Sequence, residues 1–164
     1  YAINAVVGRD SVMESIASTF VSSTFWSERI GPAAALATLK AMRSEDAPKR
    51  ITEIGRSMRS LWLEIAEAHG LISQAVGIEP LSNFSVVGVP QDILKTVVVK
   101  HFLAQGFLAG PYFYASIAHS SRQLKRYSRV LDQVFEKISR ALRHDDLDGL
   151  AAGPVAKLGI QRIN

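Results

Sequence analysis

The feature that most constrains the fold is a pair of long amphipathic segments separated by shorter, glycine-punctuated ones. In the first of them, apolar side chains recur at spacings of three and four residues, as in a helix buried on one face: Ile51, Ile54, Met58, Leu61 and Ile65. This pattern predicts a helix over residues 49–69, and a similar one predicts a last long helix over 120–142. Between them we expect strands at 73–78 and 83–87 and a helix over 90–106. The order of elements predicts a mixed α/β chain whose second part is α+β.

The first part of the chain follows a different order. Residues 3–7 are rich in β-branched side chains, which predicts a buried strand. Residues 11–19 begin with the spacing of a capping box and are predicted to form a helix. A loop without periodicity follows at 21–31, and Pro32 opens an alanine-rich helix. The polar, helix-breaking segment 44–48 is the clearest boundary in the sequence.

The later part of the chain has weaker signals. Residues 107–108 and 114–117, on either side of Gly110 and Pro111, are predicted to form a strand pair. Residues 143–164 contain three aspartates and three glycines without clear periodicity, so we expect an irregular tail.

Composition and charge narrow the class of protein. With 48% hydrophobic and 21% charged residues, the chain of 164 residues is typical of globular proteins. Its formal charge of +4 is spread along the sequence without a polybasic run, so we expect no nucleic-acid partner. No apolar run reaches the roughly 18 to 20 residues that cross a bilayer, and we expect no membrane contact. The absence of cysteine excludes disulfides, thiolate metal sites and thiol nucleophiles, and it fits a reducing compartment such as the cytoplasm.

Side chains that commonly carry chemistry are sparse. The four histidines, at positions 69, 101, 119 and 144, lack the close spacing of metal ligands, so no metal site is predicted. His119 stands at a predicted strand end, where it either hydrogen-bonds the backbone or serves a site. The sequence contains neither the Gly-Lys-Ser/Thr of a phosphate-binding loop nor a Gly-x-Ser-x-Gly nucleophile motif.

The loop over residues 21–31 is the strongest candidate for a site. Ser22, Ser23 and Thr24 place adjacent hydroxyls ahead of a helix N-terminus, where hydroxyls and backbone amides can hold phosphate oxygens. A polar loop with aromatics at this place is a candidate site for an anion or for a partner subunit. The alternative is an ordinary connection in which Phe25 and Trp26 fill the core.

Residues 22–37, Ser-Ser-Thr-Phe-Trp-Ser-Glu-Arg-Ile-Gly-Pro-Ala-Ala-Ala-Leu-Ala, resemble a segment of the class III aminotransferases that depend on pyridoxal phosphate (PLP). In these enzymes a Ser-Thr pair precedes an Ala-rich helix, and the glutamate-1-semialdehyde aminomutases are the members that the segment resembles most. The family's loop crosses the dimer interface, and its Thr binds the phosphate of the cofactor held in the neighbouring subunit.

The resemblance implies roles for five side chains of the loop. Thr24, with Ser23, would bind the cofactor phosphate of the partner subunit. Phe25, Trp26 and Glu28 would line the neighbouring substrate pocket or the interface. For these last three, the alternative is a pair of core aromatics and a solvated acid.

Two further stretches agree with the same family. Residues 1–9 resemble the strand that follows the cofactor lysine, and residues 106–119 resemble the small-domain hairpin that ends in Ser-x-Ala-His before a last long helix. The resemblance covers about residues 1–142. It implies the C-terminal part of a fold type I PLP-dependent transferase in three pieces: the end of the PLP-binding large domain with its interface loop (1–47), the small domain (48–142) and the tail (143–164).

The chain lacks two residues of the family pattern, the lysine that binds the cofactor and a glutamate of the small-domain hairpin. A Schiff base with the cofactor requires a lysine amine, which the family places just ahead of the strand that begins this chain. None of the seven lysines has that context, so we expect no catalytic residue here and no activity from the isolated chain. The hairpin also lacks the Glu that the aminomutases carry before their Ser-x-Ala-His ending.

The resemblance therefore implies a parent enzyme, an aminotransferase or aminomutase that acts as a homodimer with pyridoxal 5'-phosphate. Its partners would be small-molecule amino donors and acceptors, and its substrate a small amino acid or an amino-aldehyde or keto compound like glutamate-1-semialdehyde. The alternative, from a different class of protein, is a non-catalytic α/β module that binds a protein partner.

Overall fold

The computed structural model describes residues 3–21, 24, 27–157 and 159. Within them lie the helices α1 (Asp10–Ala17), α2 (Ile30–Ser44), α3 (Ala47–Ala68), α4 (Gln91–Ala104), α5 (Ser121–His144) and α6 (Leu147–Ala151), and the strands β1 (Ser73–Ile78), β2 (Leu81–Val86) and β3 (Tyr112–Tyr114). The chain divides into two compact units, residues 1–47 and 48–164. Among the described residues, no helix is both long and apolar enough to cross a membrane.

The first unit consists of α1, α2 and connecting segments, with very little buried surface. No residue of α1 is buried, and Gly31 is the one buried residue of α2. The predicted strand at 3–7 is wrong: residues 3–9 have no regular structure and are exposed. No described segment pairs with them, and an unpaired strand leaves its backbone donors and acceptors without partners. The helix predicted over 11–19 exists as α1, but it begins one residue earlier and without a side-chain cap.

The second unit contains an antiparallel sheet in the order β1-β2-β3. Its register pairs Val76 with Asn83 and Asn83 with Tyr112. One face of the sheet packs on the helices, because the alternate residues Ser82, Phe84 and Val86 of β2 are buried. Arg59 of α3 donates to the carbonyl oxygens of Ala75, at 3.0 Å, and Gly77 on the edge strand β1, which ties this helix to the sheet.

The core lies between the sheet and helices α3, α4 and α5. Its largest fully buried side chains are Trp62, Phe84, Phe102, Phe135, Met58, Leu94, Leu131 and Ile138. The aromatic rings touch at angles typical of such clusters: Trp62 and Phe84 have centroids 5.0 Å apart, and Phe84 and Phe135 meet edge-on at 5.5 Å. The predicted helices at 49–69, 90–106 and 120–142 are confirmed as α3, α4 and α5, and β1 and β2 lie where strands are predicted.

The strand pair predicted at 107–108 and 114–117 is wrong except at Tyr114. The NH of Phe107 donates to Phe102 O at 2.9 Å, and Gly106 adopts a φ of +78°. This bond closes the C-terminus of α4, so the NH of Phe107 is not available to a sheet. Of the predicted second half, Tyr114 alone lies in a strand, because β3 covers Tyr112–Tyr114 and residues 115–117 have no strand structure. Strand β3 pairs with β2.

The irregular tail predicted from residue 143 is also wrong for its first residues. Helix α5 runs to His144, and α6 follows over Leu147–Ala151, with Ala151 buried in the core. Lys100 of α4 donates to Ala151 O at 2.6 Å and to Ala152 O at 2.9 Å. These bonds tie the end of α6 to α4, a contact between segments 51 residues apart that periodicity does not reveal.

Candidate functional site

Two of the five predicted site residues, Thr24 and Glu28, are described by the structure. Ser23, Phe25 and Trp26 lie outside the described residues. Thr24 is exposed and lies in a bend of the backbone ahead of α2. Its hydroxyl is chemically suited to donate to, or accept from, a polar group of a ligand.

Glu28 is half-buried and is involved in the start of α2. Its Oε1 accepts a hydrogen bond from the backbone NH of Ile30 at 2.8 Å, while Arg29, the N-cap residue, makes no side-chain cap. The carboxylate therefore satisfies one of the NH groups that a helix leaves unpaired at its N-terminus. Its negative charge also complements the helix dipole.

The first turn of α2 is consequently a poor anion site by itself. The NH of Ile30 is taken by Glu28, and Pro32 has no NH to donate, which leaves the NH of the buried Gly31 in this turn. An anion here would also lie close to the Glu28 carboxylate. Any phosphate held by this loop would depend on Thr24 and its loop neighbours rather than on the helix terminus.

Two lysines of the second unit are held in contacts between helices. Lys100 donates to the carbonyl oxygens at the end of α6. Lys137 Nζ of α5 lies 2.7 Å from His101 Nε2 of α4, and His101 Nδ1 lies 2.9 Å from Val97 O. Because an ammonium can only donate, Nε2 accepts from it and Nδ1 carries the proton to Val97 O.

His119 has the backbone role that the sequence left open. Its Nδ1 accepts a hydrogen bond from the NH of Ser116 at 3.1 Å, and its ring lies 4.8 Å from that of Phe113. The histidine thus orders the chain between β3 and α5. Among the described residues, no group of three His, Asp or Glu side chains could hold a metal ion.

Sequence reasoning missed a polar pair inside the core. Trp62 Nε1 donates to the hydroxyl of Tyr127 at 3.0 Å. Burial raises the pKa of Tyr127 well above its usual value, and the bond from Trp62 offsets part of the rise. The periodicity of α5 places Tyr127 on the buried face, but no local signal identifies a partner 65 residues away.

Comparisons with known proteins agree on one class of enzyme. No family model matches the chain. It is 26% identical over 136 residues to the 2'-deamino-2'-hydroxyneamine transaminase of Streptomyces kanamyceticus, covering 80% of this chain and 34% of that protein. It is 22% identical over 142 residues to the aminopentol aminotransferase of Sphingopyxis macrogoltabida, covering 85% of this chain and 34% of that protein.

A solved structure resembles the fold. The FumI protein of a Sphingopyxis species, in its PLP internal aldimine form, superposes with a TM-score of 0.72 and 20% identity, covering 84% of this chain and 34% of that one. The chain thus spans about a third of the length of each protein it matches. It has the fold of part of a PLP-dependent transferase, and its two named sequence relatives are aminotransferases.

Proposed function

We propose that the chain is part of a class III PLP-dependent aminotransferase. The observation that carries this proposal is that both named sequence relatives are aminotransferases and that each is matched over 34% of its length. The structural likeness to the PLP-bound FumI protein supports the same assignment through the fold.

The first unit supports a longer parent polypeptide. Its helices bury almost nothing, whereas Phe20 and Val7 expose most of their side chains. A segment with so little buried apolar surface does not offset the entropy of its own ordering. We assign residues 1–47 to the end of the PLP-binding large domain, with the loop 21–31 at a homodimer interface, and residues 48–142 to the small domain.

The cofactor roles follow from the chemistry of the loop. PLP, when bound, supplies an aldehyde and an electron sink. The exposed hydroxyl of Thr24 fits a phosphate oxygen, and we place Ser23 beside it as a second ligand. Glu28 fixes the start of α2, and with Phe25 and Trp26 it would line the pocket of the neighbouring subunit or the interface.

The names of the relatives bear on the substrate. One is a transaminase for 2'-deamino-2'-hydroxyneamine and the other an aminotransferase for aminopentol, so both names specify hydroxylated amines. This favours amino transfer between two small molecules, with a hydroxylated amine or its carbonyl counterpart as one of them. Neither name favours glutamate-1-semialdehyde or an aminomutase reaction.

The test of the activity uses the longer product of the encoding gene, purified with PLP. With a hydroxylated primary amine as donor and pyruvate as acceptor, we expect alanine to form only in the presence of PLP. The chain of 164 residues alone, which lacks a lysine in the family's context, should form none. A longer product that binds PLP but transfers no amino group to any α-keto acid would refute the assignment.

The test of the phosphate role is Thr24→Val in the same longer protein. Loss of a hydrogen bond to a charged group, worth about 1.5 to 3 kcal/mol, should weaken PLP binding roughly 10- to 150-fold while side-chain volume is nearly kept. Thr38→Val is the matched control, because the Thr38 hydroxyl is exposed and donates to Ala34 O within α2 at 2.9 Å. Equal PLP affinity of wild type and Thr24→Val, by titration of the apoprotein, would remove Thr24 from the phosphate site.

A further inference from the structure

The second unit contains a cavity of about 460 Å³ whose lining residues all belong to that unit. It lies between the end of α4, residues 107–110, β3 and the first turns of α5, and it is open to solvent on one side, where Leu103 and Leu108 are exposed. Aromatic and aliphatic side chains dominate its lining, among them Leu103, Phe107, Phe113 and Tyr127. Nothing in the proposed aminotransferase role of the chain assigns a ligand to it.

Tyr127 gives this cavity a buried hydrogen-bond donor. The residue is 7% exposed, and its hydroxyl oxygen accepts from Trp62 Nε1 at 3.0 Å. An indole NH can only donate, so the proton of the Tyr127 hydroxyl needs an acceptor elsewhere. The part of the chain that the structure describes provides no such acceptor. A buried donor left without an acceptor is unfavourable, and such groups are rare in folded proteins.

His119 gives the cavity a second donor. Its Nδ1 accepts from the NH of Ser116, so the proton of the neutral ring is on Nε2. Among the described residues, this Nε2 has no hydrogen-bond partner. Gln123 at the same wall has its Oε1 occupied by the NH and hydroxyl of Ser120, so its free polar atom is also a donor, the amide nitrogen.

The side chains that line the cavity determine which kind of molecule can bind there. Tyr127, His119 and Gln123 present donors, the hydroxyls of Tyr112 and Tyr114 can donate or accept, and the described residues that line the cavity include no Asp, Glu, Lys or Arg. An ion would therefore be desolvated without a formal charge in the lining, which is costly. The Arg126 guanidinium lies 5.2 Å from the centroid of the Phe107 ring but is not part of the lining. One water molecule occupies about 30 Å³ of liquid volume and would leave most of the apolar lining unfilled.

We propose that this cavity binds an uncharged, mainly apolar small molecule that carries an acceptor oxygen, a ketone being the simplest case. The carbonyl oxygen accepts from the Tyr127 hydroxyl and from His119 Nε2, and the hydrocarbon part packs on Leu103, Phe107 and Phe113. The inference is independent of the proposed aminotransferase role.

The test compares two probes of similar size on the 164-residue chain. Benzylacetone has a ketone oxygen, whereas butylbenzene has a similar carbon skeleton without one. We expect benzylacetone to bind with a Kd of roughly 1 to 5 mM, as is ordinary for a ligand of this size, and to shift the NMR signals of cavity residues. Butylbenzene should bind more weakly by roughly 2- to 12-fold, the value of one or two modest hydrogen bonds.

Three variants test whether the probe binds in this cavity. Leu103→Trp should block the cavity and weaken benzylacetone binding more than tenfold, while the control Leu63→Trp, at an exposed leucine of α3 outside the lining, should leave it unchanged. His119→Phe keeps a ring beside Phe113 but removes the donor, so the preference for the ketone over the hydrocarbon should shrink by about half or more. A purely structural role of His119 would change stability without changing that preference.

Three outcomes would overturn the proposal. These are no saturable binding of either probe up to its solubility, equal affinity for ketone and hydrocarbon in wild type, and equal effects of Leu103→Trp and Leu63→Trp. The first outcome would mean that water or another part of a longer polypeptide occupies the cavity. None of the three bears on amino transfer by the longer protein, so failure here leaves that proposal intact.

Discussion

The hydrogen bond between Trp62 and Tyr127 joins α3 to α5 in the middle of the core. Both residues are buried, and the bond satisfies the one polar group of the Trp62 side chain. Tyr127→Phe removes the acceptor and leaves the indole NH buried without a partner. We expect this change to lower the free energy of unfolding by about 1 to 3 kcal/mol, measured by urea denaturation.

The control is Tyr114→Phe. Tyr114 is 66% exposed, so water replaces any hydrogen bond that its hydroxyl loses, and the expected change is within about 0.5 kcal/mol. Similar losses for the two variants would mean that the buried bond contributes nothing specific.

The same hydroxyl should make stability fall at alkaline pH. Because burial raises the pKa of Tyr127 in the folded chain, the folded state keeps this proton at a pH where the unfolded state, with a tyrosine pKa near 10, releases it. The stabilising contribution is complete below about pH 10 and declines above it by up to about 1.4 kcal/mol per pH unit. Urea unfolding between about pH 9 and pH 11 should show a steeper decline for wild type than for Tyr127→Phe. Parallel declines would contradict the raised pKa.

At the scale of elements, Gly55 allows α3 to approach the turn between β1 and β2. The residue is buried, and a Cβ built on it would overlap the carbonyl oxygen of Glu79. Gly→Ala in an exposed helix normally stabilises by about 1 kcal/mol. At Gly55 the sign should reverse, because backbone atoms must move apart, and Gly55→Ala should destabilise by roughly 1 to 3 kcal/mol in thermal or urea unfolding.

Ser57→Ala on the same helix is the matched control. Ser57 is exposed, and its hydroxyl donates only within the helix, to Glu53 O at 2.9 Å. This variant should be neutral or slightly stabilising, since Ala has the higher helix propensity. A stabilising Gly55→Ala would show that α3 and the turn are not in close contact.

Periodicity located most elements of the second unit, because their apolar positions follow the helical or strand repeat. For α3 the repeat predicts that Met58 is buried but does not include Trp62, the largest fully buried side chain, which lies one turn later on the same face. Helix α5 is equally predictable, since Leu124, Tyr127 and Leu131 begin an apolar repeat along one of its faces. Local patterns of this kind suffice wherever the controlling contacts are local.

The missed features depend on contacts between distant segments. The sequence predicts Phe107 to be in a strand, but its backbone NH donates to Phe102 O at the C-terminus of α4. Helix α6 is short, and its placement depends on Lys100 of α4. In the candidate site, the hydroxyls ahead of α2 identify the loop 21–31 and the resemblance supplies the residue roles. The hydrogen bond from the Ile30 NH to Glu28 follows from no pattern. The roles of Thr24, Ser23, Phe25, Trp26 and Glu28 remain proposals.

At the scale of the whole molecule, the sheet exposes an apolar face. The register places Ile78, Leu81 and Tyr114 side by side, and Val76 and Tyr112 on the same side of the sheet. All five are between 47% and 66% exposed. The outer face of a two-layer antiparallel sheet is usually polar. A face of this composition is typical of surfaces that pack on other polypeptide.

We therefore expect the 164-residue chain to self-associate in solution. Burying such side chains is worth roughly 1.5 to 3 kcal/mol each when burial is complete, and Ile30 in the first unit adds another exposed apolar side chain. Light scattering should give a mass above the 17.9 kDa of the monomer that rises with protein concentration.

The double variant Ile78→Ser, Tyr114→Ser should lower that mass at equal concentration, because polar side chains in the middle of the face remove the gain from burying it. Leu63→Ser is the control, since this exposed leucine lies on α3 away from the sheet face. A wild-type chain that stays monomeric at high concentration would exclude self-association. A double variant that associates like the wild type would mean that the contact is made by the loop 21–31 and the helices of the first unit instead of the sheet face.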